Sequence, residues 1–147
     1  MCHSRLTAIC LFILAAVGDA SAGSEADALA KFGMLGHVAV DCNAPPSINN
    51  PHQVFAVSPD GKASRTLRIN AKGDGTFPIW NIKLVDADSL QYEETSHGFT
   101  FKITVKKIQG RFRSWQSVAT NGRVFIKDGM LGNGTPSASF VSCGDAT

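Results

Sequence analysis

Four apolar residues, Phe99, Phe101, Ile103 and Val105, alternate with Thr100, Lys102, Thr104 and Lys106. Side chains along a strand point to opposite faces with a period of two, so this stretch predicts a strand with one buried and one wetted face. A helix would scatter the same apolar residues around its circumference. Segment 79–85 sets Trp80, Ile82 and Leu84 against Asn81 and Lys83, and segment 89–95 sets Leu90 and Tyr92 against Gln91 and Glu93. Leu67 and Ile69 share a side in "RTLRIN". With "HVAVDC", "QVFAVS", "RFRSWQSVA", "RVFIKD" and "ASFVSC", the chain offers about nine short strand candidates, as an all-β domain does.

Turn residues separate them: Pro59-Asp60-Gly61, Gly73-Asp74-Gly75, Asp86-Ala87-Asp88, His97-Gly98, Gln109-Gly110 and Asn121-Gly122. Connections this short join antiparallel neighbours, because a parallel crossover needs a dozen residues or more. An antiparallel meander is expected, closing on itself into a small barrel or a sandwich so that no edge is left unpaired. Segment 24–33 adds a short N-terminal helix, with Ser24 as cap, Asp27 three residues on, Leu29 and Phe32 on one face, and Gly33 at its end.

Register is less decided. A two-residue turn at Gln109-Gly110 sets Val105 opposite Ser114 and Phe101 opposite Val118. A two-residue turn at Asn121-Gly122, the stronger hairpin signal, sets Val118 opposite Phe125 and Gln116 opposite Lys127. Together they turn Lys127 inward. A bulge at Gly110 instead takes Arg113 and Trp115 inside with Val105 and Ile126. Arg113 and Trp115 share a face in both.

Residues 1–22 read as a secretory signal peptide: Arg5, then an apolar run from Leu6 to Val17, then Ala20-Ser21-Ala22. Residues 23–147 then form a single domain, periplasmic or secreted. No second long apolar run follows, so no transmembrane segment is expected. Cys2 and Cys10 leave with the leader. Cys42 and Cys143 remain as a pair in an oxidising compartment, which predicts a disulfide.

The Cys42 neighbourhood also holds His37, Asp41 and His52, with His97 elsewhere. Their spacings match no zinc pattern, and no nucleophile elbow or helical His-Glu motif is present. Asp86 with Asp88, and Glu93 with Glu94, read as solvated edges rather than acid–base pairs. No cofactor or metal is expected, and a non-enzymatic protein is. Segment 43–51, with three prolines, reads as a stiff cover or a recognition loop.

The formal charge is +2, and the leader removes one charge of each sign. From Phe99 to Lys127, however, seven basic residues occur without an acid, among them Lys102, Lys106 and Arg113. Export makes nucleic acid a poor partner. An anionic envelope component or an acidic protein fits these three residues better.

In layout the chain resembles the small exported eight-stranded barrels of the calycin and lipocalin type. Gly36-His37-Val38 keeps the glycine of the family's Gly-x-Trp start and carries Val in place of Trp. The resemblance implies a small barrel, and a monomer is expected. Two functions then compete. One is a binding protein for a small apolar or anionic ligand, lined by Trp80, Tyr92, Phe101, Ile103, Arg113 and Trp115. The other is an inhibitor or interaction barrel with a filled core.

Overall fold

The computed structural model describes residues 20–70 and 75–144. The expected leader lies almost wholly outside them. Helix α1 (Ala20–Phe32) is followed by β1 (Gly36–Ala39), β2 (His52–Val57), β3 (Ala63–Arg68), β4 (Gly75–Asp86), β5 (Ser89–Ser96), β6 (Phe99–Ile108), β7 (Arg111–Ala119), β8 (Val124–Lys127), β9 (Met130–Leu131) and β10 (Ser139–Ser142). All pairings are antiparallel. Strands β1 to β7 follow one another in order, and β10 pairs with both β7 and β1. The result is a closed eight-stranded barrel. The β8–β9 hairpin extends the sheet from the part of β7 that β10 does not cover.

The turns explain the tight meander. His97 and Gly98, Gln109 and Gly110, and Asp128 and Gly129 all have positive φ at both central positions. That is the type I′ geometry whose twist matches the strands it joins. Gln109-Gly110 is therefore the simple two-residue turn, and it does pair Val105 with Ser114. The slip comes later. Past Val105–Ser114 the ladder resumes at Thr104–Gln116, leaving Trp115 as the extra residue of a bulge, so Phe101 faces Ala119 rather than Val118. Asn121-Gly122 sits in a longer turn closed by Ala119 and Arg123. Val118 pairs with Val124 and Ser117 with Ile126, not Val118 with Phe125. Lys127 consequently stays exposed.

A second irregularity re-aims β4. Asn81 has φ +53° between two register positions of the β4–β5 ladder. This added residue turns Ile79 and Ile82 both into the core and leaves Trp80 on the outer face. The Ile82 N–H released at the bulge donates to Glu25 Oε1 of the helix, 3.2 Å away.

Helix α1 starts at Ala20, ahead of the expected Ser24 cap, and stops where expected. Gly33 takes φ +88°, and the Met34 N–H returns to the Leu29 carbonyl at 2.9 Å, the double-bonded ending that favours glycine. Its buried Leu29 and Phe32 close one end of the barrel, with Phe32 5.5 Å from the Phe112 ring. Beneath them lie Val38, Phe55, Ile79, Leu90, Tyr92, Ile103 and Val105. The barrel is filled at the helix end. No helix among the described residues is long and apolar enough to cross a membrane.

Cys42 and Cys143 form the expected disulfide, with Cα atoms 5.5 Å apart across a sequence separation of 101.

Candidate ligand cleft at the open end of the barrel

Away from the helix, the inward positions change character. On β3, Ala63 is followed inward by Arg65 and Leu67, and on β5, Tyr92 is followed by Glu94 and Ser96. Arg65 and Glu94 meet inside the barrel. Arg65 Nε donates to Glu94 Oε2 at 2.5 Å, and Nη2 donates to Oε1 at 2.7 Å. Side-chain exposures are 12% and 2%. A planar guanidinium meeting a carboxylate through two bonds is the strongest form of such a pair. The Arg65 guanidinium also lies 5.3 Å from the centre of the Phe77 ring. The expectation of a solvated Glu93–Glu94 edge is corrected here: Glu93 faces out, whereas Glu94 is buried.

Around this pair lies a cleft with two lobes. The inner lobe, about 260 Å³, is bounded by Tyr92, Ser96, Phe101, Ile103, Ser117 and Phe125. The outer lobe, about 350 Å³, is bounded by Ile48, Leu67, Ile69, Leu131, Ala138 and Phe140. Gln53, Arg65, Ser114 and Ile126 border both, so the lobes adjoin. Phe99, Phe101 and Phe125 pack tilted or edge-on at the inner rim with centroid separations of 5.2–6.2 Å. Ile48, at the tip of the Pro-rich loop, forms part of the outer rim.

Desolvation at the inner lobe pushes the Tyr92 phenol up to about 12; the Arg65 charge lowers it and the Glu94 charge raises it further. Tyr92 is therefore a neutral hydroxyl at ordinary pH.

Of the residues predicted to line a cavity, Tyr92, Phe101 and Ile103 converge on the inner lobe. Trp80, Arg113 and Trp115 do not. Trp80 lies outside, its Nε1–H donating to Glu93 Oε2 at 3.1 Å. Arg113 pairs with Lys106 in the ladder and, with Trp115, packs on Gly129 from the outer side. Lys106 Nζ sits 4.6 Å above the Trp115 ring. Among the described residues the ion pairs are Arg65–Glu94 and Lys62–Asp60, so Lys102, Lys106 and Arg113 carry unpaired charge along the outer face.

The Pro-rich loop has its own anchor. His37 Nε2 lies 2.8 Å from His52 Nδ1, and His52 Nε2 lies 3.0 Å from the Ala44 carbonyl. His52 Nε2 also lies 3.1 Å from Asn50 Nδ2, so this nitrogen faces both an acceptor and a donor, and His37 and His52 share one hydrogen across their 2.8 Å contact. Asn50 completes the clasp: Oδ1 accepts the Asp41 N–H, and Nδ2 donates to the Asp41 and Pro45 carbonyls. Desolvation, then the nearby His52 and Arg68 charges, hold the His37 pKa below the usual histidine value. Among the described residues no three His, Cys, Asp or Glu side chains converge in a way that would hold a metal ion.

Arg65, Glu94, Gln53, Ser96, Ser114 and Ser117 are site residues that sequence reading passed over. Parity was the available signal. Arg65 is two residues before Leu67, and Glu94 is two after Tyr92.

No protein-family model, curated protein or solved structure matches this chain.

Proposed function

We propose that this chain is an exported, non-catalytic binding protein that holds a small, partly apolar ligand in the open end of its barrel. The observation that carries the reading is the pair of adjoining lobes beside a core that is filled at the helix end. Each lobe is near the lower size of known small-molecule sites, and together they exceed it. Apolar walls with a few convergent polar groups are what such sites share. The disulfide and the leader expected over residues 1–22 support export to a periplasmic or extracellular space. The closed eight-stranded barrel supports the kinship in layout with calycins, though fold alone does not assign a ligand.

Native mass spectrometry of protein taken from its own compartment tests this reading. A co-purifying mass of a few hundred daltons is expected. Ile126→Trp should remove it, because Ile126 borders both lobes. A wild-type protein that carries nothing and binds no neutral apolar dye counts against the carrier.

A second reading rests on the outer strip of Lys102, Lys106 and Arg113 beside Trp115, which supports docking to an acidic envelope component or protein. Lys106→Glu with Arg113→Glu should weaken that docking at low salt. Unchanged retention discards it.

A further inference from the structure

The inner lobe is polar in an unusual way. Tyr92, Ser96 and Ser117 are 3%, 8% and 7% exposed. None of the three side chains has a hydrogen-bond partner among the described residues, and neither do the side chains of Gln53 and Ser114. Every buried side-chain nitrogen or oxygen fully sealed from solvent does have a partner. These hydroxyls are therefore not sealed, and they line the cleft. Hydroxyls in an open lobe can bond to water, and an occupant with hydroxyl, ether or ester oxygens can take the place of that water without losing its bonds.

The charges in the lobe are already spent on each other. Glu94 occupies Arg65 through two bonds, so the pair adds no net charge to the site. An anionic head would have to displace Glu94 and would then lie against it. A cationic head would face the converse problem at Arg65. Hydroxyls and a carboxamide, by contrast, both donate and accept, and they suit a head built from hydroxyl, ether or ester oxygens. The outer lobe supplies the opposite chemistry, with Ile48, Leu67, Ile69, Leu131 and Phe140 as its walls.

From this division we infer that the ligand is an uncharged amphiphile, its hydroxylated head on Tyr92, Ser96 and Ser117 and its apolar tail along the outer lobe. The inference rests on the carrier reading above and narrows it, excluding the anionic ligand that the sequence left open.

Displacement of the neutral dye N-phenyl-1-naphthylamine tests it, with each competitor below its micelle concentration. Monodecanoylglycerol and decyl glucoside are set against decanoate at pH 7.5. At least one neutral amphiphile should compete tenfold or more better than decanoate, and the preference between them tells a glycerol head from a sugar head. Ser96→Ala with Ser117→Ala should cut that preference to under threefold while dye affinity stays within twofold. These substitutions remove no hydrogen bond within the protein, so circular dichroism and thermal midpoint should match wild type. Decanoate competing equally or better overturns the neutral head and leaves the carrier standing. A preference that survives the double substitution overturns the assignment to these hydroxyls. If neither dye nor any amphiphile binds, the carrier reading falls and takes this inference with it.

Discussion

Arg65 and Glu94 clasp each other through two hydrogen bonds inside the barrel, between the apolar core on the helix side and the hydroxyl-lined lobe. Removing one partner strands the other in a poorly solvated place. Glu94→Ala should therefore lower stability by about 3–5 kcal/mol. Replacing both, as Arg65→Met with Glu94→Leu, should cost far less than the single change. Urea unfolding of the three proteins measures this, and an equal loss in the single and double variants would contradict the clasp.

His37 gives stability a pH dependence of known sign. Its folded pKa is depressed, chiefly by desolvation, then by His52 and Arg68. As pH falls through about 6.5, the unfolded chain takes up a proton that the folded chain resists. The His37 contribution is thus present above about pH 6.5 and declines as pH falls toward the folded pKa. His37→Gln retains a side chain that can donate to or accept from His52 and removes the titration. Its midpoint in urea should vary less than wild type between pH 7 and pH 5.5.

The disulfide joins residues 101 positions apart. Closing a loop of about 100 residues is worth roughly 4.7 kcal/mol in the chain-entropy account, and native disulfides commonly contribute 2–5 kcal/mol. Cys42→Ser with Cys143→Ser should lower stability by an amount in that range. Intact mass should rise by two hydrogens on reduction of the wild type and stay fixed in the variant.

The Gln109-Gly110 turn holds two left-handed residues, at φ +51° and +76°. Asn tolerates that conformation better than Gln. Gln109→Asn should raise the urea midpoint, by about 0.5 kcal/mol in stability. Gly110→Ala meets no neighbour within 4 Å, so the loss it causes, about 1 kcal/mol, reports the backbone alone.

Where the chain runs regularly, its pattern and its structure agree. The alternation in β6 put Phe101, Ile103 and Val105 inside, and His97-Gly98 and Gln109-Gly110 marked two-residue hairpins, whereas Asn121-Gly122, the stronger signal, lies in a longer turn. Parity failed wherever one residue was added. Asn81 breaks the count in β4, so a face drawn through Trp80, Ile82 and Leu84 is not one face in space. Trp115 does the same in β7. An Asn in a strand does not announce a left-handed backbone, since its side chain suits many environments. The central pair was hidden for another reason. Charge suggested water for Glu94, although its spacing from Leu90 and Tyr92 pointed inward. The His37–His52 contact depends on where a loop with three prolines returns, which local pattern does not encode.

β10 closes the cylinder by dividing itself. Ser139 and Phe140 pair with β7, while Val141 and Ser142 pair with β1. A wall elsewhere made of long ladders is here one short stave, and Arg111 straps it by donating to the carbonyls of Val40 and Ser139. Cys143, next in the chain, bolts its lower end to Cys42. The disulfide and the strap hold this stave in the wall. Because Ala138 and Phe140 also wall the outer lobe, the joint that completes the hoop is the same one that sets the width of its doorway.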